Sequence, residues 1–310
     1  MPTTPTPAPV FARCFAAALA QLNAGDLPGA DASCAALAKE APADPSVMQL
    51  RAAIALRMGR LEDAQQAATL SLRHRPGHVP TLMLAARAAL ARGVPDQAVT
   101  LMRDAASRAP HAPEPAFLLL HALLAHADPA LEPTIARTAA QYPNRAAEWQ
   151  ELAVALQRQD RPALALAAFS RATAADPTLV PAHFGRGLLL RSADRMAEAH
   201  AALSRAVALD PSLANAWFAL GLTCQDLGDE AGAAAAFQAA LDARGDFAEA
   251  AVNLGIAEQR LGRMDAAVDA YRRAIQARPD TLGRIAQAMT TASTGMLCLR
   301  PSGLRALLDA

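Results

Sequence analysis

Aromatic side chains are scarce in this chain: 2 Trp, 2 Tyr and 8 Phe make up 4% of 310 residues. β-Branched residues and strand-like alternation are scarce too, while alanine supplies much of a hydrophobic fraction of 53%. Alanine is the strongest helix former and lets helices approach closely, so the composition predicts an all-helical protein. Neither sign of charge is in excess. With 29 basic and 29 acidic residues the formal net charge is +0, and no long run of like charge occurs. This balance argues against a nucleic-acid or membrane-surface role.

Long apolar runs are missing as well, since no window reaches the roughly 18 to 20 uninterrupted residues of a spanning helix. The opening stretch "MPTTPTPAPVFARCF" lacks a basic region followed by a clean apolar one, so no secretory signal is expected. Pro2, Pro5, Pro7 and Pro9 make residues 1–10 a flexible or extended leader. The four cysteines, Cys14, Cys34, Cys224 and Cys298, form no CxxC pair and read as buried reduced thiols in a cytoplasmic protein.

Catalytic and cofactor patterns are absent from the sequence. There is no HExxH; His74 and His78 are four apart, but Pro76 and Gly77 break the helix that would put them on one face. No Walker loop, no GxGxxG after a strand and no Gly-x-Ser-x-Gly elbow occurs. "FGRGLLL", Phe184 to Leu190, places its glycines where helices pack rather than around a phosphate. The expectation is a protein that is not an enzyme, with no catalytic residues, metal site or cofactor.

What is present is a period. Pro42, Pro76, Pro110, Pro143, Pro177, Pro211 and Pro279 follow at intervals of 34, 34, 34, 33, 34 and 68 residues, with Gly245 at the skipped place. Twelve residues before each breaker stands a mostly small residue: Ala30, Ala64, Ala98, Leu131, Ala165, Ala199, Ala233 and Ala267. Eight before stands a mostly larger one: Cys34, Ala68, Met102, Ile135, Phe169, Leu203, Phe237 and Tyr271. Each period holds two helical halves separated by a turn such as "RMGRLEDA" or "DLGDEAGA". A glycine there ends the first helix in a left-handed conformation. Asp26, Asp96, Asp160, Asp194, Asp229 and Asp265 are assigned to capping the second helix or to its positive end, not to catalysis.

This pattern resembles the tetratricopeptide-repeat family, whose 34-residue unit carries W-x2-L-G-x2-Y, then A-x3-F, A and P. The best copies are "WFALGLTC…AAAAFQAA" from Trp217 and "AVNLGIAE…AVDAYRRAIQARP" from Ala251. The resemblance spans residues 11–281 as about eight repeats starting near 11, 45, 79, 113, 146, 180, 214 and 248. The second and third lack the large first-helix aromatic, and the fourth is one residue short. Such an array is implied to be a right-handed superhelical solenoid in which stacked units share a continuous core. Cys14 and Cys34 then fall at packing registers of the first unit, as a buried thiol pair. Residues 282–310 follow as a capping helix, with Leu282, Ile285, Ala286 and Met289 on its apolar face, and a tail in which Pro301 could start a last helix through Leu308.

Family resemblance also implies where a ligand would lie. First helices line the inner face, with positions 2, 5, 6, 9, 12 and 13 of each repeat pointing into the groove. Carried onto this sequence, those positions include Phe15 and Leu19, then Gln49, then Met83, Leu84 and Arg87, then Phe117 and His121. The later repeats supply Gln150, Glu151 and Val154; Phe184, Leu188 and Arg191; Phe218, Leu222 and Gln225; and Asn253 and Ile256. The basic clamp by which chaperone-binding members hold a C-terminal carboxylate is replaced here by Phe, Leu or Ala. The asparagine ladder of glycosyltransferase-linked members keeps only Asn253. Phe at position 5 in four repeats implies an apolar stripe that binds a hydrophobic or amphipathic protein segment. Alternatively, tight winding buries these side chains, or the leader, the tail or a second copy fills the groove. The expected function is a non-catalytic adaptor or scaffold; the alternative is the targeting module of a bacterial enzyme or assembly, glycosyltransferase or secretion related, whose catalytic part is elsewhere.

Overall fold

The structure, a computed structural model, describes residues 8–291 and Leu308. Every regular element among them is helical. The chain divides into two compact units, Met1–Pro143 and Asn144–Ala310. In the first, the helices are α1 (Ala8–Ala24), α2 (Leu27–Glu40), α3 (Pro45–Arg57), α4 (Leu61–His74), α5 (Val79–Ala91), α6 (Pro95–Arg108), α7 (Pro113–His126) and α8 (Leu131–Gln141). The second begins with α9 (Ala146–Arg158), α10 (Pro162–Ala175), α11 (Val180–Ser192) and α12 (Met196–Leu209). It continues with α13 (Ala214–Asp226), α14 (Glu230–Ala243), α15 (Ala248–Arg260), α16 (Met264–Ala277), a 3-10 turn at Pro279–Thr281 and α17 (Leu282–Thr291).

Proline marks the starts. Pro45, Pro80, Pro95, Pro113, Pro162 and Pro181 all sit in a first turn, where the missing N–H is not needed. Each first helix then stops at a residue with positive φ: Gly25, Gly59, Gly93, Ala127, Asp160, Asp194, Gly228 and Gly262. At Gly59 the amide donates to Leu56 O at 3.1 Å, and the next amide, Arg60 N, reaches back to Ala55 O at 2.9 Å. This satisfies carbonyls that the helix end would otherwise leave open. Two of the six aspartates therefore act differently from the capping role assigned above. Asp160 and Asp194, at φ 53° and 58°, occupy the left-handed position itself, which Asp tolerates better than most residues. Asp26 and Asp229 do cap, accepting from Gly29 N at 3.0 Å and Gly232 N at 2.9 Å.

Within a pair, the two helices meet at one small residue. Ala18, Ala52, Ala86, Ala153, Gly187, Gly221 and Gly255 are all buried at the same register of successive first helices, and Leu120 is the exception. At Gly221 a Cβ would stand 2.6 Å from the ring of Phe237, which is fully buried on α14. Gly255 faces the buried ring of Tyr271, and Gly187 faces Leu203, in the same way. Within each unit the second helix also packs on the next first helix, and consecutive first helices touch along one layer. The helix α17 closes the second unit against α15, with Ile285 and Met289 buried and Arg284 exposed. Leu308 is buried in the same core; the rest of the expected tail helix lies outside the described residues.

In two repeats a ring at the fourth position ties the repeat to the preceding turn. Trp217 Nε1 donates to Pro211 O at 2.9 Å, and His183 Nε2 stands 3.1 Å from Pro177 O, doing with an imidazole what Trp217 does with an indole. His183 is buried, and that burial holds its pKa below the ordinary 6.5 despite the Pro177 carbonyl; Arg205 and Arg186 act in the same direction as burial. Cys14 occupies this fourth position in the first repeat but is exposed, because no helix pair precedes α1 among the described residues. The expected buried pair with Cys34 is therefore not formed. Of the two only Cys34 is buried, its thiol 3.8 Å from Val47 O and pushed up to about 11 by desolvation.

Two outcomes follow from this packing. Gly221→Ala should destabilise by about 1–3 kcal/mol in urea unfolding, because overlap with the Phe237 ring outweighs the gain of about 1 kcal/mol in helix propensity. Unfolded histidine binds a proton at higher pH than His183 does in the fold, so stability falls as pH drops below 6.5. The melting temperature of the wild type should decline more steeply over that range than that of His183→Gln.

Candidate functional site

In the first unit, α3, α5 and the start of α7 enclose a cavity of about 480 Å³. Met83 and Leu84 form its floor and Val79, Pro80 and Pro115 its walls, with Gln49, Arg87 and Glu114 at the margin. The helical period explains the floor: residues 80, 83, 84 and 87 follow i, i+3, i+4 and i+7 and so share one face of α5. Gln49 comes from the matching position of α3 and receives a hydrogen bond from Arg75 at 3.3 Å. Arg87 is exposed, and neither it nor Glu114 has an ion-pair partner among the described residues. Opposite charges at two ends of an apolar trough would orient a bound segment.

Of the first-unit groove positions, the cavity collects Gln49, Met83, Leu84 and Arg87 and leaves Phe15, Leu19, Phe117 and His121 apart. Phe117 is only 4% exposed and lies against Tyr142, with ring centroids 6.4 Å apart; it is interior packing rather than groove lining. His121 is half-buried. Phe15 is half-buried against the core formed by Ala18, Leu22, Cys34 and Met48, whereas Leu19 stays 41% exposed. Pro80 and Glu114 stand at position 2 of their repeats, whereas Val79 and Pro115 fall outside the expected positions. They enter because the first turns of α5 and α7 supply walls, and the prolines that start those helices were the available signal.

In the second unit the candidates fall along α9, α11, α13 and α15. Gln150 and Val154 are half-buried and Glu151 is exposed on α9. Phe184, Leu188, Phe218, Leu222 and Ile256 are all half-buried and pack on one apolar core. Gln225 is half-buried, while Asn253 is only 8% exposed and so is held inside the helix layer. Phe218 meets Phe237 at 5.7 Å and Phe247 at 4.9 Å between ring centroids. The guanidinium of Arg244 covers Phe247 at 3.5 Å and also bonds Asn215 Oδ1 at 3.2 Å. Phe218 is thus a seam between repeats with one edge outward, not a free anchor. Arg191 is engaged as well, pairing with Asp226 at 3.1 Å across α11 and α13.

No group of three or more His, Cys, Asp or Glu among the described residues is arranged to hold a metal ion. His78 Nδ1 is instead 2.9 Å from Thr81 Oγ1 at the start of α5, and α4 ends at His74 before the intervening turn. No described helix is long and apolar enough to cross a membrane.

A family model described as tetratricopeptide repeat matches residues 151–214, 184–246 and 218–280. No curated protein sequence matches the chain. Among solved structures, the C-terminal part of a TPR repeat-containing protein from Cytophaga hutchinsonii is similar with a TM-score of 0.60 and 12% identity, covering 77% of this chain and 99% of that one. MamA gives 0.45 at 20% identity over 64% of this chain and 96% of its own. YrrB, described as a TPR protein with an unusual peptide-binding site, gives 0.44 at 16% identity over 70% and 95%.

The two groups of candidates differ in what they cost to remove. Phe218→Ala should lower stability by about 2 kcal/mol, roughly half the loss for a fully buried ring, read as a lower urea midpoint. Met83→Glu, on the open floor of the first-unit cavity, should leave the midpoint within about 0.5 kcal/mol.

Proposed function

The chain is a tetratricopeptide-repeat protein, and from that premise we propose that it is a non-catalytic interaction scaffold that holds a protein segment on its first helices. The observation carrying this proposal is the first-unit cavity, with its Met83 and Leu84 floor and an Arg87 that has no internal partner. An aliphatic side chain entering the trough would bury apolar area worth about 25 cal/mol per Å². An acidic residue of the same segment would reach Arg87, and a basic one would reach Glu114. The partner is therefore an amphipathic segment, docked as a helix or an extended chain. In the second unit, Phe184, Leu188, Phe218 and Leu222 give the first helices an apolar face of their own, with only their outer edges available. Exposed apolar surface of this kind marks binding faces more often than it is left idle.

Selection of displayed random peptides on the full chain tests the proposal. Enriched peptides should combine an aliphatic residue with an acidic one. They should lose at least about tenfold in affinity against Met83→Glu, because a charge facing an apolar side chain is left unpaired and desolvated. Peptides that bind wild type and Met83→Glu equally would place docking elsewhere and defeat the assignment.

A further inference from the structure

A second opening in the first unit lies away from the α3–α5–α7 trough, between α6 and α8. Two adjoining cavities of about 310 Å³ and 400 Å³ share Arg103, Leu119, Thr134 and Arg137, and so form one cleft. Its origin is a packing defect specific to the fourth repeat. At the register where the other seven first helices carry Ala or Gly, α7 carries Leu120, fully buried, and its counterpart on α8 is Ile135. Two large residues at a contact built for a small one hold the helices apart. The helix α8 is also short, 11 residues against 14 for the other second helices, and contains Pro133 in its first turn. Tyr142 OH, donating to Pro110 O at 2.8 Å or Ala112 O at 3.0 Å, and Gln141 Nε2, donating to Pro110 O, tie the far end of α8 to the preceding loop.

The lining is amphiphilic. Ala106, Ala116 and Leu119 present hydrocarbon, and two guanidinium groups stand at the rim without an acidic residue in the lining. Arg103 is already neutralised by Asp128 at 2.9 Å, whose carboxylate also accepts from Ala130 N at 2.8 Å and so is fixed in the turn. Arg137 has no carboxylate partner among the described residues. The cleft therefore has one uncompensated positive charge beside an apolar floor, at the lower end of the size range of small-molecule sites, about 300–1,000 Å³.

We propose that this cleft binds a small aliphatic carboxylate, with its chain on Ala106, Ala116 and Leu119 and its single negative charge on Arg137. One unpaired guanidinium matches one carboxylate, and a planar two-point contact between them is the geometry that arginine favours. The chain length is bounded by the cleft, which suits a medium-chain acid and not a membrane lipid.

Calorimetric titration of the full chain with octanoate, octanol and acetate tests this. Octanoate should bind, and octanol and acetate should each be weaker by about tenfold or more, since each lacks one of the two contacts. Arg137→Gln should bring octanoate down to the octanol level, and Ala106→Leu, which fills the floor, should weaken octanoate by a similar factor. Arg87→Gln, in the separate trough, should leave octanoate affinity unchanged. Circular dichroism and melting of each variant establish that the fold is retained. Absent octanoate binding, equal binding of octanol, or a loss in Arg87→Gln in place of Arg137→Gln would each overturn the proposal, and none of them bears on whether the trough binds peptides.

Discussion

The contact between a small residue on the first helix and a larger one on the second sets the geometry of six of the eight repeats. Where the small residue is glycine, as at Gly187, Gly221 and Gly255, the facing residue is Leu203, Phe237 or Tyr271, and the ring or branched chain occupies the space a Cβ would need. Helix pairs approach closely because volume added on one side is removed from the other, which keeps the interior at its usual density. Scarcity of aromatics follows from the same constraint. In the seventh repeat the Phe237 ring fills the space beside Gly221, and a second ring must find space at a seam, as Phe218 does against Phe247. The fourth repeat shows what happens when the rule is broken, since Leu120 and Ile135 leave α8 displaced and a cleft beside it.

Connections between repeats use weaker forces at regular places. Ion pairs join the end of one first helix to the start of the preceding second helix: Arg60 with Asp31 at 2.5 Å, Arg92 with Glu62 at 3.3 Å, and Arg260 with Glu230 at 2.7 Å. These pairs are partly exposed, and such pairs contribute about 0–1 kcal/mol each. Their effect is on register more than on stability, since each holds a turn over the helix it must follow. The ring donors of Trp217 and His183 likewise hold their repeats to the preceding turn.

The trough between α3, α5 and α7 and the α6–α8 cleft have a common logic. In both, an arginine without an internal partner stands beside apolar side chains that no neighbouring helix covers. Stacked repeats satisfy their own polar groups at the turns and bury their apolar groups at the pair contact. Charge and hydrocarbon left over together, outside that scheme, are what gives a scaffold something to offer a partner.

Repeat period, helix content and the interior role of Gly221, Phe237 and Tyr271 were legible in the sequence, because a 34-residue recurrence of small and large residues encodes a contact made within one repeat. The turn chemistry was legible in part: glycine marks the left-handed position, but Asp160 and Asp194 fill it too, and only the backbone angle separates that role from capping. Site residues were the least legible. Phe15, Phe117, Phe184 and Phe218 share a register, yet Phe117 is interior, Phe218 is a seam, and Met83 and Arg87 line a cavity. Sequence by itself determined which residues repeat and which face of each helix they occupy, since those are local properties of a helical period. Tertiary structure alone decided which of them stay open, because exposure at a given register depends on the volume of side chains roughly one repeat away, which no local pattern contains.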